Sequence, residues 1–91
     1  MSDRERLLEE IAAGQRNVRF GELLKLMDHW GFDARTMQRG GHGVVFQHRS
    51  YRRIRVTIAR PKGGQKMKVC YVKDCMDAID WVSEMEGSTH G

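Results

Sequence analysis

The sequence contains one proline, Pro61, and only two cysteines, Cys70 and Cys75. Two cysteines make no disulfide framework, and four intervening residues fit neither a C-x-x-C redox motif nor half of a zinc site backed by a second Cys/His pair. Free cysteine is commonly a small buried hydrophobe, so Cys75 is assigned to the apolar stripe of a helix and Cys70 to the segment leading into it. No apolar run approaches the ~20 residues of a membrane span. Met1-Ser2-Asp3-Arg4-Glu5-Arg6 is charged and lacks the apolar centre of a signal peptide, so a cytoplasmic protein is expected. The 91 residues allow one small domain that buries roughly 65% of its unfolded surface. The 40% hydrophobic and 31% charged fractions are those of a globular chain rather than a disordered one.

A second lack is more informative. From Ala34 to Lys73 there is no Asp or Glu, while Arg35, Arg39, Arg49, Arg52, Arg53, Arg55, Arg60, Lys62, Lys66, Lys68 and Lys73 give +11. The remaining residues hold five basic and twelve acidic side chains, or −7, so the net charge of +4 hides two opposite halves. A short charge run is ordinarily a solvated face, but eleven cations against no acid repel one another, and a polyanion such as nucleic acid relieves that. A membrane surface fits less well, because the block is not one amphipathic helix. Without carboxylates in the block, paired-carboxylate catalysis or carboxylate-held magnesium would need flanking residues such as Asp33 or Asp74, and nothing points to them. No metal and no small-molecule cofactor is expected. Gly63-Gly64 before Lys66 is not a phosphate-binding loop, since no strand and helix frame it in the required order.

The pattern reads helix, helix, three strands, helix. Leu7, Leu8 and Ile11 predict a helix over Asp3 to Ala13, stopped by Gly14. Gln15-Arg16-Asn17 is a polar connector. Leu23, Leu24, Met27 and Trp30 predict a second helix of about ten residues starting near Gly21 and ended by Gly31, with Phe32 as the hydrophobic contact across that cap. Ala34 to Arg39 is a weak first strand, Gly40-Gly41 its turn, and Val44-Val45-Phe46 the second strand. A turn at Arg49 to Arg52 follows. Ile54, Val56 and Ile58 then alternate with Arg55 and Thr57 as a half-buried third strand with a basic outer face. Pro61-Lys62-Gly63-Gly64 is a loop. Val72, Cys75, Met76, Ile79 and Val82 mark a C-terminal helix, and Ser88 to Gly91 a frayed tail. These elements predict a two-layer α+β domain, a three-stranded antiparallel sheet under helices. Residues 1–17 form a helical extension, 18–86 the core and 87–91 the tail.

The segment Gln38-Arg39-Gly40-Gly41-His42-Gly43-Val44-Val45-Phe46 sets an imidazole at the start of the second strand between glycines, which leave the ring accessible and admit a ligand backbone. The plainer reading is a turn histidine. The functional one is phosphodiester chemistry, with the imidazole moving protons while arginines stabilise phosphate charge. His48 shares strand parity with His42, Val44 and Phe46. Two positions six apart on a strand are about 20 Å apart, too far for one proton-transfer step, so His48 is assigned to plain surface or a phosphate contact. The same parity turns His42 toward the core unless the glycines form a bulge. His29 is read as a solvated or helix-end residue and His90 as tail. Trp30, Phe32, Phe46 and Trp81 are assigned to the core. Tyr51, beside Arg52 and Arg53, is either a base-stacking ring or an ordinary turn tyrosine.

The order Phe20-Gly21-Glu22-Leu23-Leu24-Lys25-Leu26-Met27, then Gly31-Phe32, then Gln38-Arg39-Gly40-Gly41-His42 running into Val44-Val45-Phe46, resembles the HicA-type toxins of bacterial toxin–antitoxin pairs. The resemblance spans about Val18 to Val82. It implies a double-stranded-RNA-binding-domain-like fold, metal-independent cleavage of mRNA by one histidine, matched by His42, and a HicB-type antitoxin as protein partner. The chain departs from the family in having Gly41 where a serine usually precedes the histidine, Gly43 after it, and an added N-terminal helix.

Two functions from different classes follow. The first is an endoribonuclease toxin with His42 as acid or base and Arg35, Arg39, Arg49, Tyr51, Arg52, Arg53, Arg55, Arg60 and Lys62 as RNA contacts. The second is a non-catalytic RNA-binding module of the same fold. A third reading, an interaction domain whose basic face meets an acidic protein, overlaps with the antitoxin expectation.

Overall fold

The computed structural model describes residues 3–36, 43–61 and 66–88. The elements are α1 (Asp3–Ala13), a 3-10 turn (Gln15–Asn17), α2 (Phe20–His29), β1 (Phe32–Thr36), β2 (Gly43–His48), β3 (Arg55–Ala59) and α3 (Val69–Ser88). The strands form an antiparallel sheet in the order β1-β2-β3. The domain is α+β, as the periodicity predicts.

Each boundary has a local cause. Extended Arg19 precedes α2, and the Glu22 carboxylate turns back to accept its backbone N–H at 3.4 Å. At the other end, Trp30 N–H donates to Leu26 O and Gly31 N–H to Asp28 O, and Gly31 takes φ +88°. That left-handed residue reverses the chain at once. β1 therefore starts at Phe32, two residues before the expected Ala34, and Phe32 pairs with His48 as a strand residue rather than serving only as a cap contact. Its expected end, Met37 to Arg39, lies outside the described residues. α3 begins at Val69, so Cys70 sits in its first turn, exposed. The expected tail residue Ser88 is the last of α3.

α2 packs over β1, α3 over β3, and α1 over α2. Between helices and sheet lie Leu23, Leu26 and Met27 of α2, Val44 and Phe46 of β2, Ile58 of β3, and Val72, Cys75, Ile79 and Val82 of α3, with Ile11 closing the side under α1. Each such side chain contributes about 1.5–3 kcal/mol by leaving water. Burial pushes the Cys75 thiol up to about 12, with the Asp74 charge adding to it, so this cysteine stays a neutral core residue. The segments before α2 and α3 are joined by an Arg19–Lys66 bridge and by Met67 N–H donating to Val18 O at 2.7 Å. No helix among the described residues is long and apolar enough to cross a membrane.

Strand parity gives the sheet a second face over which no layer lies among the described residues. Val44, Phe46 and His48 point inward and are buried, so Gly43, Val45 and Gln47 occupy the other face. The register sets Asp33 and Arg55 beside Gln47, Arg35 and Thr57 beside Val45, and Ala59 beside Gly43.

Candidate nucleic-acid interface

Of the expected RNA contacts that the structure describes, all but Arg60 lie on the open face or in the β2–β3 turn. His42, Arg39 and Lys62 lie outside the described residues. Arg35 is exposed on β1, and Arg52 and Arg53 are exposed in the turn. Gln47 Nε2 donates to Arg52 O at 2.9 Å, which anchors that turn to the open face. Arg55 lines a pocket of about 240 Å³ with Val56, Asp74, Asp77, Ala78 and Trp81, so two carboxylates of α3 stand across it. Arg60 lies apart, near the start of α3, with its guanidinium carbon 5.4 Å from the Phe20 ring centre. It lines a second pocket of about 240 Å³ with Ala59, Pro61, Lys66, Met67, Lys68 and Tyr71, and Lys66 Nζ donates to Asn17 Oδ1.

Arg49 differs from its neighbours. Its Nε donates to Asp33 Oδ1 at 2.8 Å and its Nη2 to Asp28 Oδ1 at 2.7 Å, and both carboxylates raise its pKa. The block without acids in the chain is thus not without acids in space, because Asp28 at the end of α2 and Asp33 of β1 fold against it. Tyr51 is half-buried, packed on the core with its ring centre 5.0 Å from that of His48.

Two sequence expectations are corrected. His48 is neither surface nor a phosphate contact: it is 7% exposed. Nε2 lies 3.0 Å from Trp30 O, and Nδ1 accepts the backbone N–H groups of Ser50 and Tyr51, each at 3.1 Å. The parity with Val44 and Phe46 was the signal for this, since a strand whose alternate residues are core residues carries the next one inward as well. Trp81 is not core: it is 43% exposed. It sits one residue, or about 100° of helix, from Val82, which carries it off the buried stripe. Trp30, Phe32 and Phe46 are buried as expected.

Among the described residues no group of three or more His, Cys, Asp and Glu is gathered to hold a metal ion. Comparison with known proteins returns no matching family model, no matching curated protein and no matching solved structure.

Proposed function

We propose that this chain is an endoribonuclease toxin of a type II toxin–antitoxin pair, an mRNA interferase with a double-stranded-RNA-binding-domain-like fold. It works in the cytoplasm and is held by a HicB-type antitoxin. The observation that carries the reading is the position of β2: it starts at Gly43, directly after Gly41-His42, and leads between open-face Arg35 and Arg55 to a turn bearing Arg52 and Arg53. A strand that begins one residue after a histidine in the sequence and ends at an arginine-bearing turn suits a phosphodiester chain laid along it.

In this reading the RNA 2′-oxygen attacks the adjacent phosphorus. His42 takes the 2′-hydroxyl proton or delivers one to the departing 5′-oxygen, water serving at the other end. The new 2′-O–P bond replaces the broken P–O5′ bond, leaving a 2′,3′-cyclic phosphate and a 5′-hydroxyl. Arg39, Arg35, Arg52, Arg53, Arg55, Arg60 and Lys62 neutralise phosphate charge, with Arg49 and Tyr51 in the turn beside them. No metal and no cofactor takes part.

The test compares wild type with His42→Ala for growth arrest and for RNA cleavage in EDTA. Arrest and cyclic-phosphate ends in wild type alone support the proposal. Cleavage that survives His42→Ala overturns it. Salt-dependent binding without product by wild type assigns the chain to the non-catalytic RNA-binding class, for which the glycines flanking His42 speak.

A further inference from the structure

The chemistry of its partners fixes the protonation state of His48. A backbone carbonyl only accepts, so Nε2, 3.0 Å from Trp30 O, carries the proton. A backbone amide only donates, so Nδ1, 3.1 Å from both Ser50 N and Tyr51 N, presents its lone pair. One neutral imidazole thereby joins the end of α2, the end of β2 and the turn that follows. Its ring is also gripped on two sides, by Phe32 edge-on with centres 5.1 Å apart and by Tyr51 at 5.0 Å. Two further bonds bracket the same turn, His48 N–H to Ile54 O and Arg49 N–H to Gly31 O.

We infer that His48 is the positioning residue of the Arg49–Arg53 turn, an imidazole latch that holds Tyr51, Arg52 and Arg53 in the arrangement that meets RNA and releases them when Nδ1 takes a proton. The role of the turn in RNA binding rests on the function proposed above; the latch itself rests on the three hydrogen bonds. A proton on Nδ1 would face two N–H groups with a third and remove both acceptor bonds at once.

The charges that act on the ring belong to α1, α3 and the turn. Arg4 of α1 and Arg49 of the turn oppose protonation, as does burial, which is the largest cause of a lowered imidazole pKa. Glu86 of α3 and the Trp30 carbonyl favour it, but Glu86 is bound in a two-bond pair with Arg4 at 2.8 and 3.2 Å. Asp28 and Asp33 act through Arg49, which they hold. The balance keeps the latch closed at neutral pH and opens it on the acid side.

The experiment follows the His48 ring nitrogens and the Ser50 and Tyr51 amides by NMR through an acid titration. In parallel, affinity for a 2′-O-methyl RNA oligonucleotide, which lacks the attacking hydroxyl, is measured for wild type and His48→Gln. Glutamine offers one acceptor and one donor but does not titrate. The expected result is an Nε2–H tautomer at neutral pH, and loss of exchange protection at both amides in step with the ring. Wild-type affinity should fall about tenfold over the same interval relative to His48→Gln. Amides that stay protected while the ring titrates, or identical pH dependence in the two proteins, overturn the latch. No RNA binding by either protein at any pH, with the amides still following the ring, overturns the RNA reading while supporting the latch.

Discussion

Gly31 and His48 occupy space that admits no additional atom: a Cβ built on Gly31 would stand 2.8 Å from Nε2 of the imidazole. Gly31 also has φ +88°, where L side chains are strained. Gly31→Ala is therefore expected to cost about 1–3 kcal/mol, from backbone strain and from displacing the ring from Trp30 O. Urea denaturation would measure it. A loss below a few tenths of a kcal/mol would mean that the ring moves aside freely.

Stability should depend on pH in two separate steps. The His48 pKa is lowered from 6.5, so its unfolded form binds the proton more readily. Its contribution is complete above about pH 6.5 and is lost as the pH falls through the lower folded value. The Glu86 carboxyl is held below 4.5 by its bonds to Arg4, so its contribution is lost in a more acidic range. Thermal melts at closely spaced pH should show the upper step in wild type and not in His48→Gln. An upper step of equal size in both proteins would assign it to another group.

The arginines of the turn should separate into two kinds. Arg52→Ala and Arg53→Ala should each reduce the slope of log affinity for single-stranded RNA against log salt by about 0.7, with little change in the urea midpoint. Arg49→Ala should mainly lower that midpoint, since it leaves Asp28 and Asp33 facing each other without their shared cation. Three equal slope changes with unaltered midpoints would contradict the division.

Phe46→Ala should cost about 3–5 kcal/mol, because the ring lies wholly inside the sheet–helix interface. Trp81→Ala should stay within about 0.5 kcal/mol despite the larger side chain removed, because Trp81 stands off the stripe of α3. Equal losses at the two positions would place Trp81 in the core after all.

The helices and the third strand were legible because their signal is periodic over several turns or alternations. Leu23 and Met27, Cys75 and Ile79, and Ile54 and Ile58 each repeat at the spacing of the face they bury. β1 was harder: one buried phenylalanine precedes four exposed residues, and its start is set by the backbone of Gly31 rather than by a pattern of its own. His48 was misplaced because composition treats histidine as a surface residue, whereas the hydrogen bonds that make its burial tolerable come from Trp30, Ser50 and Tyr51 and exist only in the folded chain. The neutralisation of Arg49 escaped a count along the sequence because Asp28 lies 21 positions away. Of the candidate site, the exposure of Arg35, Arg52, Arg53 and Arg55 agrees with the basic outer face expected from strand alternation, and His42, Arg39 and Lys62 lie outside the described residues.

On the function proposed above, the segregation of charge also governs how the molecule would meet a polyanion. α3 exposes Asp74, Asp77, Asp80 and Glu84, and the turn exposes Arg52 and Arg53. Such a molecule experiences a torque as well as an attraction in the field of a phosphate chain. Acidic helix turned away, it arrives already oriented, and fewer collisions are wasted. Added salt shortens the reach of that field to about 8 Å at physiological ionic strength, so its first effect is to slow encounter by letting the molecule approach in any orientation.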